Sequence, residues 1–165
     1  MSICNSMYLI LYILLNDLNF IVNYFKDTMN KTLILYPSAL MVLLVLLLYV
    51  KNYLDNMKAT KSKNIKFNYF KTYQGEVPEY VAVSRQTLKN QFELPILFYF
   101  LVSLVLIFDV FTKTDLIFAW MFVVSRYFHC YIRLTSNYVP NRAKLFSLGL
   151  YTLIIWWIVF LFKVL

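Results

Sequence analysis

The sequence predicts an all-α integral membrane protein, a four-helix bundle with up-down-up-down topology preceded by an extra N-terminal hydrophobic segment. Three observations support this fold class. The chain is 61% hydrophobic and 19% aromatic, with a mean hydropathy of +0.64, which is more apolar surface than a soluble domain of 165 residues can bury. Four apolar stretches approach the length of about 20 residues that a helix needs to cross the hydrocarbon core. The basic residues gather in alternate connections between those stretches.

The first two apolar stretches predict membrane spans at about residues 32–50 and 88–110. The first span carries no charge, and Pro37 falls in its first turn, where a missing N–H does least harm. The second span has an uncharged core that is too short to cross the membrane. We therefore expect its helix to begin earlier, passing through Glu93 and back toward Arg85.

The last two spans are predicted at about residues 116–136 and 145–163. The third begins with an apolar run that is also too short, so the polar residues behind it must complete the crossing. The fourth is uncharged, and we expect Trp156 and Trp157 near its end to lie in the aromatic belt at the membrane interface.

The distribution of charge predicts the orientation of the bundle. The formal net charge is +8, and the positive residues concentrate in the first loop and in the connection before the fourth span. The positive-inside rule places both connections in the cytoplasm. Aromatic residues alternate with lysines in the first loop, as in some nucleic-acid-binding proteins. Contact with anionic lipid headgroups explains the same pattern better, so we expect membrane lipids and no nucleic acid as partners.

The N-terminal residues 1–28 leave three alternatives open. They are apolar but interrupted by Asn16, Asp17, Asn19 and Asn23. They lack the basic start and the small-residue cleavage site of a signal peptide. The segment is an interfacial helix, a poor fifth span, or an extension upstream of a true start at Met29. We therefore treat residues 29–165 as the membrane domain and the preceding residues as an extension of undecided status.

Several kinds of chemistry are not supported by the sequence. Cys4 and Cys130 are far apart, so neither a CxxC redox pair nor a disulfide framework is predicted. With His129 as the one histidine, we expect no multi-histidine metal centre, and a Ser-His-Asp hydrolytic triad has no support in the spacing.

The third span carries an ionisable stripe. Arg126, His129 and Arg133 follow one another at offsets of three and seven, which places them on one helical face. Each unpaired charge within a membrane costs at least about 2.5–3.5 kcal/mol, so such residues mark a functional site by default.

The second span carries a matching polar stripe at the same level. Gln86, Asn90 and Glu93 share a face, and we expect Pro95 to bend the helix beside them. Glu93 and Arg126 lie on neighbouring antiparallel spans, so we expect them to pair. That pair could be a structural link or part of a site, and a lone histidine such as His129 is more often a packing residue than a ligand.

Arg142 lies beside Pro140 at the start of the fourth span, with no acidic partner nearby in sequence. It is therefore the best candidate to hold an anion or a thiolate, because a nearby cation favours the ionised form of sulfur.

These residues resemble a known family. The spacing matches the MAPEG family, four-helix membrane proteins of eicosanoid and glutathione metabolism, over about residues 29–165, through Asn90-x-x-Glu93-x-Pro95, Arg126-x-x-His129 and Pro140-x-Arg142. The resemblance implies a homotrimer that binds glutathione between neighbouring subunits near the cytoplasmic side. It also implies that Arg142 activates the thiol, and that lipophilic substrates arrive from the bilayer.

Four positions depart from the glutathione-using members. Gln86 replaces an arginine, with Arg85 one place away and rotated by about 100° around the helix. Arg133 replaces a tyrosine, and Ala143 and Phe146 replace a hydroxyl residue and a second tyrosine. The chain is more similar to the poorly characterised bacterial branch of the family, which implies a location in the bacterial inner membrane.

The first functional hypothesis is a glutathione-dependent transferase or peroxidase that acts on lipophilic electrophiles. In it, Arg142 is the catalytic residue, and the cofactor-binding residues are Asn90, Glu93, Arg126, His129, Arg133, Arg85 and Gln86. The alternative is a non-catalytic membrane scaffold that binds lipids or partners. A transporter or channel subunit fits less well, because the polar residues cluster near one face and line no route across the membrane.

Overall fold

A computed structural model describes residues 30–165. Within that part of the chain every regular element is helical, as predicted. The three alternatives for the N-terminal segment concern residues outside the described part.

Four long helices, one of them interrupted, form the bundle. A short 3-10 turn, Lys31–Ile34, leads into the first helix, and another, Asn90–Phe92, lies inside the second long helix. The α-helices are α1 Leu35–Lys61, α2 Tyr69–Thr72, α3 Glu79–Lys89, α4 Leu94–Ile107, α5 Lys113–Leu134 and α6 Val139–Val164.

The topology is up-down-up-down. α1, the pair α3 and α4, then α5 and α6 alternate in direction, because each is joined to the next by a short turn or by the loop at residues 62–78. That loop and the turn before α6 lie at one end, called the basic end below. The turn between α4 and α5 and the end of α6 lie at the other, called the far end.

Three of the four long helices are long and apolar enough to cross a membrane by themselves: Lys31–Lys61, Glu79–Ile107 and Val139–Val164. The fourth, α5, is long enough but carries the polar stripe of the third predicted span. At the basic end α1 continues to Lys61, well past the predicted limit at residue 50, and α6 begins at Val139.

Aromatic rings form the centre of the bundle. Phe98 of α4 stacks on Phe122 of α5 with ring centroids 4.9 Å apart, and Trp156 of α6 meets Phe98 edge-on at 5.9 Å. All three side chains are fully buried. The prediction that Trp156 lies in an interfacial belt was therefore wrong, since its indole points into the core.

A glycine sets the approach of α6 to α5. A methyl group at Gly149 would lie 2.8 Å from the Ser125 hydroxyl oxygen and 3.7 Å from the Arg126 side chain. Because Gly149 has no side chain, the two helices pack closely where the polar stripe begins.

The second long helix breaks where Pro95 was expected to bend it. Pro95 has no N–H to donate to the carbonyl four residues earlier, so the α-helical ladder is interrupted. The chain passes through the 3-10 turn Asn90–Phe92, and Glu93 takes a non-helical conformation with φ −104° and ψ −91°. Gln86 and Asn90, which precede the break or lie at its start, face α5.

Candidate functional site

The polar stripe of α5 faces the interior of the bundle. Arg126 is fully buried, and His129 and Arg133 keep 2% and 8% of their surfaces exposed. All three side chains point away from lipid, as the sequence predicted for an ionisable stripe at this depth.

A cavity of about 260 Å³ lies at the basic end, beside the first two turns of α6. Four predicted site residues line it, and four further lining residues come from α6. Two of the latter, Val139 and Ser147, were not predicted, because neither carries a charge or a motif that sequence reasoning could use. The full lining consists of Asn90, His129, Arg133, Val139, Arg142, Ala143, Phe146 and Ser147.

Arg133 is held by hydrogen bonds to the second long helix. Its Nη2 donates to Gln86 Oε1 at 2.8 Å. When the Asn90 amide is oriented to satisfy its neighbours, Asn90 Oδ1 accepts from Arg133 Nη1 at 2.9 Å, and its nitrogen donates to the Gln86 carbonyl at 3.1 Å. Arg133 Nε is buried without a partner. Gln86 thus acts on the site by holding Arg133, although it does not line the cavity.

His129 is oriented by the backbone of α6. Its Nδ1 lies 3.0 Å from the Arg142 carbonyl oxygen, and because a carbonyl can only accept, Nδ1 carries the proton and donates. The other ring nitrogen, Nε2, is buried and has no hydrogen-bond partner among residues 30–165. The ring also packs against Phe146 at 5.8 Å. His129 therefore combines a packing role with one uncommitted nitrogen.

Arg126 lies deepest and is the least satisfied of the cationic side chains. Its Nη2 makes a long hydrogen bond of 3.5 Å to the Asn90 carbonyl at the helix break. The guanidinium carbon lies 5.6 Å from the Phe146 ring, a cation–π contact. Nε and Nη1 are buried and have no hydrogen-bond partner in the described part of the chain. Buried donors of this kind are rare, and an acceptor from a ligand, a water molecule or a neighbouring subunit would satisfy them.

Arg142 is partly exposed at the mouth of the cavity. Its Nη1 donates to Asn137 Oδ1 at 2.6 Å, which fixes the side chain near the turn before α6. Asn137 takes a left-handed conformation with φ 48°, which asparagine tolerates better than most residues.

The prediction that Glu93 pairs with Arg126 is wrong within one chain. Glu93 is exposed at the helix break and forms no salt bridge with any described residue. Its charge acts on Arg126 and Arg133 only from a distance. The non-helical conformation at Glu93 rotates its side chain outward, away from the face that it would share with Asn90 in a continuous helix.

Arg85 lies away from the cavity within one chain, so its role as a substitute cofactor contact stays a prediction. Its Nη1 donates to the Tyr69 hydroxyl and, at 3.2 Å, to the Tyr73 carbonyl. The rotation around the helix relative to Gln86 therefore directs Arg85 toward the loop.

Positive charge dominates this site. The charges of Arg126, Arg133 and Arg142 all act on the His129 ring, while none of the described carboxylates lines the cavity. The first turns of α6 add the positive end of a helix dipole. Uncommitted donors in a sheltered, positive cavity suit an anionic ligand, above all one with carboxylate or thiolate groups.

Comparison with known proteins agrees with the bundle and the motif spacing. The family model described as MAPEG family matches residues 34–162, which is most of the chain. No curated protein and no solved structure shows a significant match. The chain therefore belongs to the MAPEG family and is an integral membrane protein of that family.

Proposed function

We propose that the chain is a glutathione-dependent membrane enzyme, a transferase or peroxidase that acts on lipophilic electrophiles. The observation that carries the proposal is the set of buried, unpartnered donors on Arg126 and Arg133 beside a cavity whose mouth is occupied by Arg142. Glutathione supplies the matching chemistry, two carboxylates and a thiol that becomes a nucleophile when ionised.

The residues divide into two roles. Arg142 lies at the mouth, where its cationic group would stabilise a thiolate, and His129 Nε2 would bind a proton donor of the ligand. Arg133, held by Gln86 and Asn90, would grip a carboxylate with the nitrogen that remains free. Arg126 would act from beneath the cavity, through its positive charge and its contact with Phe146.

The size of the cavity supports a shared site. At about 260 Å³ it falls slightly below the range of about 300–1,000 Å³ that is usual for small-molecule pockets. In a homotrimer, a neighbouring subunit would add a wall on the open side, and the enclosed space would then extend beyond the part that one chain forms. Glu93, exposed at the same level, would then lie in the contact between subunits.

The test is thermal stabilisation of the purified protein by glutathione. A ligand present at ten times its Kd raises stability by about 1.4 kcal/mol. We expect this shift in the wild type and its loss in Arg142→Ala. The matched control is Lys144→Ala, which removes an exposed cation one half-turn away that does not line the cavity.

Turnover completes the test. Wild type should conjugate glutathione to chlorodinitrobenzene or reduce a lipid hydroperoxide, and Arg142→Ala should lose this activity while Lys144→Ala keeps it. Absence of any shift at millimolar glutathione contradicts the proposal and favours the alternative, a non-catalytic scaffold. The altered donors at Gln86 and Arg133 are the sequence features behind that alternative.

A further inference from the structure

A second cavity, of about 400 Å³, lies at the basic end between α1 and the loop that follows it. It shares no lining residue with the first cavity, which is lined by Arg133 and Arg142 and is called the arginine-lined cavity below. The family motifs do not include the residues of the second cavity. One wall belongs to α1 and the other to the loop around α2. The lining residues are Tyr49, Asn52, Tyr53, Asn56, Met57, Thr60, Phe67, Phe70 and Tyr73.

The α1 wall presents a polar row. Asn52, Asn56 and Thr60 follow at intervals of four, so they share one helical face. Asn56 donates to the Asn52 carbonyl at 2.8 Å, and Thr60 donates to the Asn56 carbonyl at 2.9 Å. Within the described chain, the Asn52 amide nitrogen and the hydroxyls of Tyr49 and Tyr53 donate to no protein acceptor. These groups remain available to a ligand.

The loop wall is aromatic and is held in place by Arg85. Phe70 contacts Phe67 and Tyr73 edge-on, with ring centroids 5.8 Å and 6.3 Å apart. The Arg85 guanidinium lies 5.7 Å from the Tyr69 ring and 5.5 Å from the Tyr73 ring, and donates to both residues. This contact ties the loop to the second long helix, so the cavity is preformed.

Exposed lysines are sequence neighbours of the residues that line the cavity. Lys61, Lys66 and Lys71 directly adjoin the lining residues Thr60, Phe67 and Phe70 in sequence, and each is exposed. Between residues 56 and 74 the chain contains no acidic residue. The net charge around the opening therefore favours an anionic ligand.

The cavity also borders the lipid-facing surface of α1. Tyr49 and Tyr53 line it and are 50% and 61% exposed, and the apolar residues Leu46 and Leu47, one turn closer to the membrane centre, are also exposed. A ligand in this position has its polar part among tyrosines and lysines at the membrane surface and its apolar part along a membrane helix.

We infer that this cavity binds the headgroup region of an anionic phospholipid. The Asn52 amide and the tyrosine hydroxyls hydrogen-bond the phosphate and glycerol oxygens, and the lysines attract the negative charge. The acyl chains leave the cavity along the exposed apolar face of α1, since the cavity is too small to hold them.

The test compares two lipids on the intact protein in detergent. Native mass spectrometry measures binding of phosphatidylglycerol and phosphatidylcholine to the wild type and to Lys66→Gln/Lys71→Gln. We expect the wild type to prefer phosphatidylglycerol and the double variant to bind it about thirtyfold more weakly, because each surface lysine contributes about 1 kcal/mol. The matched control is Lys89→Gln/Lys144→Gln, which removes the same charge from exposed positions outside the cavity.

A second variant tests the cavity itself. Asn56→Trp fills the space while every lysine remains, and thermal unfolding verifies that the variant is folded. Loss of phosphatidylglycerol binding in this variant supports the site. The inference is overturned if binding persists in Asn56→Trp, if both double variants lose affinity equally, or if the two lipids bind wild type alike.

Discussion

The two ends of α5 both bury charged side chains, but they differ in how far the hydrogen-bonding groups of those side chains are satisfied. At the far end Asp115 is fully buried, and its carboxylate accepts four hydrogen bonds. These come from Trp156 Nε1 at 2.8 Å, Lys163 Nζ at 2.6 Å, and the Thr112 backbone and hydroxyl at 2.7 Å and 2.6 Å. At the basic end Arg126 and Arg133 keep buried N–H groups without acceptors.

This difference separates a structural link at the far end from the candidate site at the basic end. One negative group surrounded by donors has its desolvation cost offset inside the protein, so the far end needs no ligand. Positive groups that outnumber their acceptors leave part of that cost uncompensated, and a bound anion removes it. The unpaired groups therefore mark the candidate site more clearly than burial does.

The largest expected effect comes from breaking the satisfied end. Asp115→Ala leaves the buried Trp156 N–H without its acceptor and the partly buried Lys163 without its ion-pair partner. We therefore expect a loss of about 3 kcal/mol in the free energy of unfolding. Denaturant-induced or thermal unfolding in detergent measures it. The control, Asp115→Ala/Lys163→Met, should recover part of the loss, because it removes the stranded charge. A loss below about 1 kcal/mol would mean that the network contributes little.

At the unsatisfied end the corresponding truncation should behave differently. Arg126→Met removes a buried guanidinium that has one long hydrogen bond and a cation–π contact, so we expect ligand-free stability to stay within about 1 kcal/mol of wild type. Stabilisation by glutathione should decrease in the same variant. A destabilisation as large as that of Asp115→Ala would erase the contrast and make Arg126 a structural residue.

The last prediction concerns the side of the membrane that each end of the bundle faces. The substitutions that test it are at exposed positions, and we expect them to leave stability unchanged. Single cysteines at Lys63 and Asn141, on the basic end, should react with an impermeant maleimide only after the membrane is opened. A cysteine at Thr114, on the far end, should react in intact cells. All three positions are exposed. The reverse pattern would place the arginine-lined cavity on the outer side.

Much of this architecture follows from local pattern. Hydropathy and length determined the helices and their alternating direction, because a membrane helix is specified by its own residues. Pro95 determined the break, since its missing N–H acts within the same turn. The spacing of Arg126, His129 and Arg133 determined that they share a face, and the charge of the stripe determined that this face turns inward.

Tertiary packing decided what helical spacing could not. Spacing assigned Glu93 to the face of Asn90, but the helix break turned it outward and removed the expected pair. Lys163 and Asp115 pair across 48 positions, and Trp156 enters the core to reach the same carboxylate. Contacts between distant positions leave no local signature, because helical spacing only groups residues on one face of a continuous helix, whereas the neighbouring helices decide what that face contacts.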